Sequence, residues 1–144
     1  MKFSLESIRI SIAGAKLSHL VQKDRIWDHG SMTEQVRTVF HLIEKAKKNG
    51  YMEPLRKYMT PSCFDKFEKQ FRLYSGDENA VVTELAAISV EPGNQHRPDM
   101  FTVLIKGHNG EKRNESYDRR AQSKKFSLRW SFVREGEWWI LNRI

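Results

Sequence analysis

The hydrophobic period of this chain changes once, and that change fixes the fold class. Up to about residue 76 the apolar side chains recur at steps of three and four, and from about residue 79 they alternate. Three- and four-residue steps line one face of an α-helix, and alternation lines one face of a β-strand. Helices followed by strands make an α+β domain: about three N-terminal helices laid on an antiparallel sheet, not the alternating units of a parallel one. With 144 residues the chain is one domain by length.

The helical half is well punctuated. Ser31 and Glu34 have the spacing of a capping box, which predicts a helix start there. Val36, Val39, Phe40, Ile43 and Ala46 then form one stripe. Lys45, Lys47 and Lys48 crowd the last turn, and Gly50 suits a left-handed cap. Pro54 opens a short helix with Leu55, Tyr58 and Met59 inside. Thr60-Pro61 opens the next, whose stripe is Phe64, Phe67, Phe71 and Tyr74. Residues 1–25 precede the domain proper, 26–144, as a basic amphipathic segment with Ile8, Ile12, Leu17, Leu20 and Val21 on one apolar face.

The strand half begins at Asn79–Val90, where Ala86-Ala87 breaks the alternation as a bulge would. Glu91 to Asn94 is a turn, Met100–Gly107 a strand, and Asn109-Gly110 a hairpin signal. Glu111–Lys125 is polar, a ragged edge strand with a loop. Phe126, Leu128, Trp130 and Phe132 alternate with polar residues, and Gly136-Glu137 turns the chain into a last strand, Trp138–Ile144.

The closing segments carry a family likeness. Leu55-Arg56-Lys57-Tyr58-Met59-Thr60-Pro61, with Trp130-Ser131-Phe132-Val133-Arg134 hairpinned to Trp139-Ile140-Leu141 and Ile144, resembles the C-terminal domain of mitochondrial inner-membrane translocase subunit 44 and its bacterial relatives. Trp27-Asp28 fits the same pattern, so the likeness covers roughly residues 26 to 144. The resemblance implies the nuclear-transport-factor-2-like fold, a cone-shaped roll of helices over a strongly bent sheet around an apolar pocket. It also implies a peripheral inner-membrane adaptor that contacts lipid and protein subunits.

Charge and chemistry narrow the function. The net charge of +7 favours an anionic partner, whether nucleic acid, lipid or an acidic protein face. No stretch of about 20 apolar residues is present to span a bilayer. Glu6, Arg9 and Lys16 interrupt any signal-peptide core. The expected location is intracellular, either cytoplasmic or peripheral on the inner membrane. Cys63 is the one cysteine, and the five histidines are scattered, so the sequence calls for no metal or other cofactor.

An enzyme on this fold needs an acid inside the cone as general base. If Val82, Glu84, Ala86 and Ile88 point inward, Glu84 lines the pocket with His41, Tyr58 and Trp130, but no motif ties these four together. Trp138 and Trp139 must point to opposite faces of one strand. The outward one marks an interface, with a protein or with a second copy through the sheet. Arg119, Arg120, Lys124 and Lys125 belong to a basic cluster that Glu111, Glu115 and Asp118 dilute, and no nucleic-acid-reading motif accompanies it. The reading with most support is a non-catalytic binding or adaptor domain, peripheral to a membrane or part of a protein assembly. Its partner is a protein or an anionic membrane surface. The alternatives are a small apolar-ligand pocket with isomerase- or hydrolase-like activity, and a basic subunit of a nucleic-acid-containing assembly.

Overall fold

A computed structural model describes residues 4–71, 80–109 and 125–144. Among them run α1 (Leu5–Leu20), α2 (His29–Asn49) and α3 (Pro61–Phe71), followed by β1 (Ala80–Glu91), β2 (Met100–Asn109), β3 (Lys125–Glu135) and β4 (Trp138–Arg143). Short 3-10 turns, Arg25–Trp27 and Glu53–Tyr58, join the helices. The fold is α+β, with helices first and then a four-stranded antiparallel sheet in the order β1-β2-β3-β4.

The α2 stripe is buried at all five expected positions. Its start is corrected: the helix begins at His29, and the cap is Asp28, not Ser31. The Asp28 carboxylate accepts both the backbone N–H and the hydroxyl of Ser31, at 2.9 and 2.8 Å, so Ser31 is a donor inside the first turn. Gly50 closes the helix at φ 73°, as its position predicts. Thr60 caps α3, its hydroxyl accepting from the Cys63 N–H at 3.3 Å. Phe64 and Phe67 bury the α3 face. The side chains of Phe71 and Tyr74, and the expected edge strand and loop over 111–124, lie outside the described residues.

Strand pleat sets the core face. Phe101, Val103, Ile105 and Gly107 on β2 stand opposite Phe132, Trp130, Leu128 and Phe126 on β3. Two register shifts interrupt β1, between Val82 and Glu84 and between Ala87 and Ser89. Each extra residue flips the pleat, so Val82, Leu85, Ala87 and Val90 continue the core face and Glu84 is turned away. The expected inward register of Glu84, Ala86 and Ile88 is therefore wrong.

Rings fill the space between helices and sheet. Trp139 meets Trp27 edge-on at 5.0 Å and Phe101 edge-on at 4.8 Å, and Phe101 stacks on Phe132 at 5.1 Å. Trp130 lies 5.7 Å from Phe40. The Trp139 indole N–H donates to the Ile26 carbonyl at 3.1 Å, so this buried ring has its polar group satisfied. Gln35 on α2 holds the Trp139 backbone in both directions. Its amide nitrogen donates to the Trp139 carbonyl and its amide oxygen accepts the Trp139 N–H. The Thr60 N–H donates to the Leu141 carbonyl at 2.9 Å.

Arg134 ties three segments together. Its guanidinium donates to Asp24 at 2.6 Å, to Asp99 at 3.1 Å and to the Gly136 carbonyl at 2.8 Å. The Arg134 hydrogen bond, followed by the Ile26 N–H, holds the Asp24 carboxyl below its ordinary range. A carboxyl whose pKa is lowered by folding stabilises the fold above its ordinary value, and that contribution is lost as pH falls through the folded value. Arg134→Met is expected to cost about 1 kcal/mol at neutral pH, the exposure of Asp24 keeping the figure small. It should also flatten the loss of stability below about pH 4. Urea midpoints at neutral and acid pH measure both, and a variant with the wild-type acid slope would refute this role for Arg134.

Candidate functional site

The surface feature that most needs explaining lies on α1. Ser4 caps this helix, its hydroxyl accepting the Ser7 N–H at 3.1 Å. Ala13 and Leu17 are buried in the main core, and Leu20 and Val21 pack against it. Leu5, Ile8 and Ile12 are 65%, 46% and 54% exposed. At about 100° per residue, these three span about 60° of arc, centred about 130° from Ala13 and Leu17. The helix therefore has two apolar faces and buries one. The single face expected for Ile8, Ile12 and Leu17 is corrected, because Ile8 and Ile12 lie on the far side from Leu17. The signal was present in the spacing: Leu5, Ile8, Ile12 and Ala15 follow steps of three, four and three.

Electrostatics sharpen this stripe. Glu6 is the only acid on α1, and its carboxylate binds Lys106 on β2 at 2.8 Å. That hydrogen bond holds the Glu6 carboxyl below its ordinary range. Lys106 belongs to the pleat opposite Ile105, so this pair fixes the first turn of α1 to the outer side of the sheet. Arg9 and Lys16, along one flank of the stripe, are left without an acid on their own helix. Next to Ala15 and Lys16, an apolar recess of about 430 Å³ opens between α1 and Pro92, with His19 and Leu20 on its walls.

The expected pocket residues are not brought together. His41 is exposed on α2, its ring 6.3 Å from Phe40. Glu84 is exposed on the outer pleat opposite Lys106. Trp130 is buried in the core, its indole N–H without a hydrogen-bond partner among the described residues. Tyr58 is half-buried and lines a different space, a groove of about 500 Å³ shared with Glu34, Gln35, Glu137 and Trp138. Among the described residues no polar or charged side chain is fully buried.

Trp139 is buried, and Trp138, its neighbour on the other face, is 68% exposed. Lys125 is exposed at the start of β3, and Arg119, Arg120 and Lys124 lie outside the described residues. Cys63 is buried on α3, and desolvation pushes its thiol up to about 11, which leaves it protonated and unreactive at neutral pH. No described helix is long and apolar enough to cross a membrane.

In comparisons with known proteins, no family model matches the chain, no curated protein matches it, and no solved structure matches it.

Proposed function

We propose that this chain is a non-catalytic adaptor domain that docks onto a larger assembly through the outer face of α1. The observation that carries the reading is the exposure of Leu5, Ile8 and Ile12 on a helix already anchored by its opposite face. An apolar stripe on a rigidly held element marks an interaction surface. The closing hairpin adds support, and the proposal includes kinship with the translocase subunit 44 C-terminal domain, whose mitochondrial members are adaptors.

Magnitudes limit the kind of docking. Covering three half-exposed large apolar side chains yields roughly 3–5 kcal/mol. Association costs about 4–15 kcal/mol in lost freedom. The stripe alone therefore docks weakly, and lasting attachment needs Arg9, Lys16 and the recess beside Pro92 as well. An anionic membrane is a second reading, favoured by those two cations on a chain of net charge +7.

The test is photo-crosslinking in the native host, with benzoylphenylalanine at position 12 and, as control, at His96 in the exposed β1–β2 loop. A discrete protein or lipid adduct from position 12, absent from position 96, is the expected result. No adduct from position 12 would remove the adaptor reading.

A further inference from the structure

The adaptor reading leaves open what chemistry covers the stripe, and the side chains around it narrow the choice. Leu5, Ile8, Ile12, Ala15 and His19 follow steps of three, four, three and four, the spacing of the a and d positions in a helix-against-helix seam. The seam is narrow. A helix lying in a bilayer interface presents a broad apolar face, often with Trp or Phe, and a densely basic polar face. Here Ser4, Ser11 and Ser18 run along one flank, and Arg9 and Lys16 are the only cations along the other. The recess at Ala15, Lys16, His19, Leu20 and Pro92 is shallow and apolar, with room for apolar side chains of a partner.

We propose that the outer face of α1 receives an amphipathic helix of a partner protein, apolar along its seam and acidic along its flanks. Arg9 and Lys16 occupy successive flanking positions, and Glu6, the one acid of the helix, is engaged by Lys106. In an antiparallel pair of two copies, Arg9 and Lys16 would face Arg9 and Lys16 of the other copy. In a parallel pair they would face serines. Neither arrangement answers the two cations, and acids on the partner helix answer both. Apolar side chains of the partner fill the recess beside Pro92.

The inference rests on the adaptor reading and has its own test. The probe is a synthetic three-heptad peptide with Leu at a and d and Glu at e and g, its like charges discouraging self-association. A counterpart carries Lys at e and g. Titrated against the full chain at physiological salt, the acidic peptide is expected to bind with Kd on the order of 10 μM, at least tenfold tighter than the basic one. Ile8→Ser with Ile12→Ser should weaken it at least tenfold with an unchanged melting temperature, since both side chains are exposed. Arg9→Glu with Lys16→Glu should invert the preference between the two peptides.

Equal binding of both peptides, or binding of neither, overturns the inference. So does flotation with phosphatidylcholine–phosphatidylserine vesicles that depends on Ile12 in the absence of peptide binding, which assigns the stripe to a membrane. A concentration-dependent dimer abolished by Ile12→Ser assigns it to a second copy. In each case a persisting adduct from position 12 keeps the adaptor reading standing while the helix proposal falls, and loss of that adduct removes both.

Discussion

Trp139→Ala is expected to lower the melting temperature by about 10–20 °C, and Trp138→Ala is expected to leave it nearly unchanged. The two residues are neighbours on β4, but Trp139 is 2% exposed and Trp138 is 68% exposed. Truncating Trp139 empties a site bounded by Trp27 and Phe101 and leaves the Ile26 carbonyl without its donor. Large aromatic truncations in cores cost roughly 3–5 kcal/mol. A domain of this size holds about 5–15 kcal/mol of stability in all, so the variant sits near the edge of folding. Trp138 loses only surface contact, worth within about 0.5 kcal/mol. Paired thermal melts followed by circular dichroism give the answer. A Trp139→Ala protein melting with the wild type would sink the core assignment.

Gly107→Ala should also be damaging, although it adds one methyl group. A Cβ at this position would lie 2.0 Å from the Val81 carbonyl oxygen on β1 and 2.7 Å from the Phe126 ring on β3. The first contact is with backbone, which cannot rotate away, so β1 must separate from β2 at that end. Overpacking of this kind costs about 1–3 kcal/mol and sometimes more. Gly14→Ala supplies the opposite sign. Nothing lies within 4 Å of its Cβ, and the residue sits inside α1, where alanine stabilises a helix by about 0.5–1 kcal/mol over glycine. Denaturant midpoints of the two variants should move in opposite directions from the wild type. A Gly107→Ala midpoint equal to the wild type would show that the strands have slack there.

How far the sequence could be read depended on how many residues carried each pattern. The α2 stripe of Val36, Val39, Phe40, Ile43 and Ala46 was legible because five positions agree on one period, and all five are buried. The start of α2 was misread because Asp28 and Ser31 are both good caps, and only the geometry shows that Asp28 accepts while Ser31 donates. The face of β1 was misread for a different reason. A bulge inverts every position up to the next one, and nothing in Val81-Val82-Thr83-Glu84 announces the first. That inversion alone turned Glu84 from a pocket acid into an exposed neighbour of Lys106. In α1 the difficulty was two overlapping apolar patterns on one short helix. Merged, they look like one broad face, and only the contacts of Ala13 and Leu17 with the core separate them. The docking stripe was thus written in the spacing and hidden by its neighbour.

The hold of Gln35 on the Trp139 backbone has a consequence for how the protein behaves in a crowd. β4 is the last strand of the sheet, and an unoccupied outer strand is a template on which further chains can add and polymerise. Here the outward-facing groups of Trp139 are taken by a side-chain amide, and the Leu141 carbonyl is taken by Thr60. At the other margin, the two bulges of β1 disrupt the ladder that a new strand would need. The sheet is therefore closed to growth at β4 and irregular at β1. Association is steered from main-chain pairing, which any sequence can join, toward side-chain surfaces, which only a matching partner can join.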